Sequence, residues 1–208
     1  MGLKKSTDSV GLHEVEARDY PRDLPGLVAQ LGDADAGVRR WAARDLAAHP
    51  KAAGAVCARL HEERDASVRA VLFSTATQFG GAVVVQGMVQ LLRSEDPALR
   101  NGAIEVLASL PDAVGPQVDS LLHDSDSDVR IFAVNLLGDL RHPQVPQWLS
   151  QVLMHEPEVN VVGAALEVLA EVGVPGTLPA LRAAKARFAD DPYIGFSADL
   201  AIERIEAA

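Results

Sequence analysis

His123–Leu140, HDSDSDVRIFAVNLLGDL, is the stretch whose reading decides the fold. It reads as a turn, a cap and a helix. A short acidic turn ends on Asp126, an apolar anchor, Val129, follows three residues later, and Arg130 comes next. Small Ala133 stands one turn after the anchor, Leu137 one turn further, and Leu140 closes the run. Ser and Asp ahead of an apolar run are helix-start signals, because a side-chain oxygen can accept from the unpaired N–H groups of the first turn. At about 100° per residue, the anchor and the positions four, eight and eleven after it share one face.

The pattern occurs six times. The anchors are Val38, Val68, Leu99, Val129, Val161 and Ile194, spaced 30, 31, 30, 32 and 33 residues apart. Four after them stand Ala42, Leu72, Ala103, Ala133, Ala165 and Ala198; eight after, Leu46, Ala76, Leu107, Leu137, Leu169 and Ile202. Eleven after come His49, Phe79, Leu110, Leu140, Val172 and Ile205. A fixed period in this range is the signature of a solenoid. One such unit cannot bury its own apolar face, so each must cover its neighbour, and a small residue at the contact lets the helices approach.

Each repeat is expected to hold two helices, A and B. Pro25, Pro116, Pro146 and Pro179 open the A helices, since a first-turn proline lacks only an N–H that would be unpaired there anyway. Gly54 and Gly80-Gly81 mark the corresponding turn in the second and third repeats. Helix B starts at a cap three residues before each anchor: Asp35, Asp65, Asp96, Asp126, Glu158 and Asp191. Arg39, Arg69, Arg100 and Arg130 follow the first four anchors, whereas Val162 and Gly195 follow the last two. Residues 1–20 lack the pattern and read as a charged tail or a short capping helix, SVGLHEVEARDY, over the open end of a single repeat domain spanning 21–208.

Composition narrows the chemistry. The chain has 208 residues, 48% of them apolar but only 4% aromatic, so its core is built from Ala, Val and Leu. Nineteen Lys and Arg against 29 Asp and Glu give a formal net charge of −10, which disfavours binding to nucleic acid or an anionic membrane surface. The scarcity of Lys beside abundant Ala and Val suggests a GC-rich bacterial genome. A lone Cys57 allows no disulfide within the chain. The start MGLKKSTDSV has no apolar run of a secretory signal, and no stretch approaches the length of a membrane span, so a cytoplasmic protein is expected. Met1-Gly2 with Ser6 matches a myristoylation pattern, which is short and common by chance.

The recurring D-x-x-V-R-x-x-A-x-x-x-L behind an apolar helix resembles the HEAT repeat, closest to the short variety of about thirty residues first associated with bilin lyases. The resemblance covers roughly residues 21–208. It implies an all-α fold, a right-handed α-α superhelix of about six helix pairs. It also implies that Asp and Arg of adjacent repeats form a ladder, for which Asp35, Arg39, Asp65, Arg69, Asp96, Arg100, Asp126 and Arg130 match. Glu158, Val162 and Gly195 depart from that pattern near the C-terminus.

No motif commits to catalysis, a cofactor or a metal. Asp124, Asp126 and Asp128 resemble the opening of a calcium loop, but Val129 and Asn135 stand where that loop needs Gly and a bidentate Glu. His-Glu pairs occur at His13-Glu14, His61-Glu62 and His155-Glu156. Deoxyhypusine hydroxylase, a HEAT-like enzyme, holds iron with such pairs inside its inner helices. The matching positions here are Arg40-Trp41, Ala70-Val71, Asn101-Gly102 and Ile131-Phe132, none of which binds iron. Gly80-Gly81 lacks the lysine of a phosphate loop.

What remains is a surface. The B helices of HEAT-like folds line the concave side. Positions two and six after the anchors would place Arg40 and Arg44 at a basic mouth, Asn101, Glu105, exposed Ile131 and Asn135 in the middle, and Glu167 beyond. Asp139 and Glu171 sit on its edge, and position nine gives a small floor. The expected function is a non-enzymatic scaffold or adaptor that binds another protein through a basic or amphipathic segment in this groove. The alternative is a bilin-lyase-like or other modifying-enzyme subunit, which rests on the resemblance alone.

Overall fold

The computed structural model describes residues 21–207, which form twelve α-helices and no strand among the described residues. The helices come in six A/B pairs: α1 (Leu24–Gln30) with α2 (Ala36–Asp45), α3 (Ala53–Glu62) with α4 (Ala66–Phe79), α5 (Gly81–Leu91) with α6 (Pro97–Ala108). There follow α7 (Pro111–Leu122) with α8 (Ser127–Asp139), α9 (Val145–His155) with α10 (Val159–Val172), and α11 (Leu178–Arg187) with α12 (Pro192–Ala207). The molecule is therefore an all-α superhelix with the period read from the anchors. The expected terminal helix and the His13-Glu14 pair lie outside the described residues. No helix among the described residues is long and apolar enough to cross a membrane.

The B helices start where their caps place them. The carboxylates of Asp35, Asp65, Asp96, Asp126 and Asp191 each accept from a backbone N–H of the first turn. Glu158 occupies the same position without a side-chain cap; its carboxylate stands one methylene further from the backbone. The A helices depart from expectation in two places. Pro116 lies inside α7, which Pro111 opens instead, and Gly54 lies in the first turn of α3, behind a 3-10 turn at Pro50–Ala52. Pro116 is exposed and sits on the first half of its helix, so the Asp112 carbonyl it leaves unpaired can be hydrated. Gly80 and Gly81 have positive φ, 59° and 74°, and turn the chain from α4 directly into α5.

One core runs the length of the stack. Val68, Leu99, Val129, Val161 and Ile194 are buried, as are Ala42, Ala103, Ala133, Ala165 and Ala198 four residues on. Val38 is only half-buried, because α1 is the shortest A helix and covers it less, and His49 lies beyond the end of α2. Close approach is visible at Gly102, where a Cβ would stand 2.4 Å from the Phe73 ring, and at Thr75, whose hydroxyl donates to the Ala43 carbonyl at 2.9 Å.

The turns between A and B carry a motif that the sequence pattern concealed. The residue five before the anchor is Asp33, Glu63, Ser94, Asp124 or Glu156 in the first five repeats. Each accepts, through its side chain, the backbone N–H two residues later. Its carbonyl accepts from the arginine that follows the anchor: Arg39 to Asp33, Arg69 to Glu63, Arg100 to Ser94 and Arg130 to Asp124. The ladder between repeats therefore runs mostly through this acid and not through the cap. Arg39 forks onto Glu63 at 2.8 and 2.9 Å, and Arg130 onto Glu156 at 2.9 Å twice. Only Arg69 reaches a cap, Asp96, because the turn residue there is Ser94. Arg100 takes no rung; Asp124 is held by Arg93, and the Arg100 guanidinium lies over the Phe132 ring.

The two layers pack unequally. Successive B helices touch along the whole stack, but in the A layer α1 scarcely meets α3 and α7 scarcely meets α9. The second of these gaps is filled. Between α7 and α9 stands His142, from the connector that follows α8. Its ring stacks on Trp148 of α9, with centroids 4.7 Å apart, and lies 3.4 Å from where a Cβ on Gly115 of α7 would be. The connector here runs over Leu140–Gln144, against Ser109–Leu110 before α7, which accounts for the longer anchor spacing.

Candidate functional site

The B-helix face presents a graded row of side chains. Arg40 and Arg44 are exposed on α2, with Arg44 5.7 Å over the Trp41 ring. Asn101 and Glu105 are exposed on α6, Asn135 and Asp139 on α8, and Glu167 and Glu171 on α10. One position differs from expectation. Ile131 is half-buried, packed against the core, and not exposed. Gly163, at the equivalent position of α10, is buried beneath Tyr193, whose ring stands 2.7 Å from where its Cβ would be.

Charge on this face is mostly unspent. Glu105, Asp139, Glu171 and Glu203 make no ion pair among the described residues, and neither do Arg40 and Arg44. Along the turns between A and B helices, by contrast, the chain pairs its charges closely. Glu167 has one partner, the Tyr193 hydroxyl, which donates to it; that bond raises the phenol above its ordinary range. The residues thus share one helix layer, but only Glu167 is drawn into contact with another side chain of the row's C-terminal end.

That end was under-read from the sequence. Tyr193, Phe196 and Leu200 of α12 are 49, 69 and 37% exposed. Their positions relative to the anchor signalled the face, but apolar side chains there look like core until the last helix is seen to have no successor among the described residues.

Two further features were not anticipated. A cleft of about 500 Å³ opens where α7 and α9 part, lined by Leu122, His123, Gln151, Val152, His155 and Pro157, with the Arg130–Glu156 pair beneath. Glu63 is a buried hub: its carboxylate accepts from Arg39, Arg59 and the backbone N–H groups of Arg64 and Asp65. The Arg39 bond, with its neighbours, outweighs desolvation and holds the Glu63 carboxyl at about 2. Among the described residues, no group of three His, Cys, Asp or Glu side chains is placed to hold a metal ion. Asp124 and Asp126 spend their oxygens on the turn N–H groups and on Arg93.

Comparison with known proteins agrees with this architecture. The family model for HEAT repeats matches residues 116–193. The bilin biosynthesis protein PecE of Mastigocladus laminosus is 32% identical over 152 residues, 71% of this chain and 56% of that protein. The chain thus spans about half the length of that curated relative. Among solved structures, the complex of CpcE and CpcF of phycocyanin lyase from Nostoc sp. PCC7120 is 18% identical, with a TM-score of 0.38, over 93% of this chain and 99% of that one. A designed armadillo repeat protein in complex with the peptide (KR)4 is 18% identical, with a TM-score of 0.44, over 88% and 99% of the two chains. The periodic caps, the six stacked helix pairs and the matched residues together make this chain a HEAT-repeat protein, similar over 71% of its length to a bilin biosynthesis protein.

Proposed function

We propose that this chain is a protein-binding scaffold that holds a segment of a partner protein along its B helices. The observation that carries this reading is the unpaired charge of that face. Glu105, Asp139 and Glu171 stand on three successive B helices without a counter-ion among the described residues, whereas the turns between A and B helices hold ion pairs of 2.6–2.9 Å. Like charges gathered on one surface repel, and folding gains nothing from them; a basic segment laid across them removes the repulsion. Rim charges chiefly set the association rate and its salt dependence. Partner captured from native cells by the intact chain should therefore associate more slowly with the Glu105→Lys, Glu167→Lys double variant, with a flattened salt dependence. Unchanged rates would send the search to the convex A helices or the N-terminal 20 residues.

A second reading, a subunit of a bilin-lyase-like assembly, is supported by the identity with the bilin biosynthesis protein PecE. In that case the scaffold's partner is itself a protein to be modified or a second subunit of the modifying enzyme. Mixing the chain with a bilin, an acceptor apoprotein and its captured partner should then give a covalent coloured adduct; no dependence of adduct formation on this chain would exclude the reading.

A further inference from the structure

Helix α12 ends the described stack with two faces of opposite character. The face toward a following repeat can be identified from the earlier contacts. Phe73, five after its anchor, meets Gly102 of the next B helix, and Gly138, nine after its anchor, meets Val168. The same positions on α12 are Asp199 and Glu203, both exposed. Lys185 of α11 ties Asp199 at 2.5 Å and Arg182 ties Glu206 at 2.7 Å. This is the polar outer face that a terminal repeat requires.

Phe196 and Leu200 stand beside that face, two and six after the anchor, one helical turn apart on the groove row that begins with Arg40 and Arg44; at the same offsets on α10, Gly163 and Glu167 meet Tyr193 of the next B helix. At 69%, Phe196 is the most exposed large apolar side chain among the described residues, the next being Val83 at 54%. Tyr193 adjoins them at 49%, fixed by its contact with Gly163 and its bond to Glu167. Single exposed apolar residues need no explanation, but three within two turns of one helix form a patch.

We infer that this patch is the anchor point of the groove, and that it receives an apolar side chain from a cationic amphipathic helix of the partner. The inference rests on the groove reading and names its partner class. Apolar contact alone would not select a charge type; the flanking carboxylates do. Glu171 and Glu203 make no ion pair among the described residues and Glu167 is engaged by a neutral phenol; the one cation beside them, Arg204, donates to the Ala170 carbonyl, so carboxylates outnumber cations around the patch. A helix with an aliphatic or aromatic stripe bordered by Lys or Arg satisfies both features. The arginines at the far end of the row give the bound segment a direction, with its basic, apolar end on α10 and α12.

The test uses the intact chain and three fluorescent synthetic peptides: an amphipathic helix with a Leu/Phe stripe and Lys flanks, a scramble of the same composition, and the same helix with Glu for Lys. The first should bind, and the other two should bind at least roughly tenfold more weakly. The Phe196→Ser, Leu200→Ser double variant should lose roughly ten- to hundredfold in affinity, the scale set by burying one or two large apolar side chains. Its circular-dichroism melt should match wild type, because both sites are on the surface. The Glu105→Lys, Asp139→Lys variant separates the two readings. If it weakens binding and the α12 variant does not, the groove stands and the anchor inference falls. If neither weakens binding, or the amphipathic peptide does not bind, both fall. Self-association abolished by the α12 substitutions, without peptide binding, would assign the patch to a second copy and overturn the inference.

Discussion

Glu63 shows what one side chain does in this fold. It is 1% exposed, held by two arginines, and its carboxyl lies at about 2 against an ordinary 4.5. A depressed carboxyl stabilises the folded state above the unfolded value and loses that contribution as pH falls through the folded one. The difference is worth about 3 kcal/mol at neutral pH and should fade between about pH 5 and pH 2. Glu63→Gln leaves Arg39 and Arg59 without their counter-ion, so it should lower stability by about 3 kcal/mol at pH 7. Denaturant melts of wild type and variant should converge as pH approaches 2; parallel curves would show that the carboxylate is not the source. The sequence made the caps and the arginines legible, since both recur at fixed offsets from the anchors. The acid two residues before each cap was not read, because Asp, Glu and Ser alternate there and their shared role is a hydrogen bond to the turn. Side-chain reach then decides the ladder: Glu63 and Glu156 span to the preceding repeat's arginine, and Ser94 hands that task to Asp96.

At the scale of helices, the stack depends on the alanine that stands one turn after five of the six anchors. Ala103 and Ala133 are 0 and 1% exposed in α6 and α8. Phe at either position must push neighbouring helices apart or leave its preferred rotamer, so each substitution should destabilise by roughly 1–3 kcal/mol in chemical denaturation. Unchanged midpoints for both would contradict the observed helix register. Periodicity predicts every B helix, because caps and apolar spacing agree there. The A helices were less legible. Pro111 and Pro116 are both plausible openers, and only the tight link after α6 makes the first of them the start. Offsets from the anchor place side chains along a row, but they do not fix the exposure of each one. Ile131 is half-buried in the middle of the stack, while Phe196 at the same offset is exposed at its end. A repeat pattern gives the direction of a side chain and says nothing of whether a neighbour covers it.

At the scale of the whole molecule, one side of the solenoid is continuous and the other is interrupted. The B helices form an unbroken packed spine, and His142 stands as a spacer between α7 and α9 in the outer layer. A beam bonded along one edge and shimmed open on the other takes its curvature from the thickness of the shim. The imidazole of His142 is that thickness: it sets how far the first four helix pairs swing from the last two, and so how far Arg40 stands from Phe196. His142→Ala should let α7 and α9 close, narrow the 500 Å³ cleft and straighten the arc. Spin labels on α3 and α11 should report a changed separation in the variant, while its stability falls by no more than about 1.5 kcal/mol for the lost ring stack. An unchanged distance would mean that the spine alone holds the curve. If it changes, the pitch at which this solenoid meets a partner is tuned by a single side chain that the partner never touches.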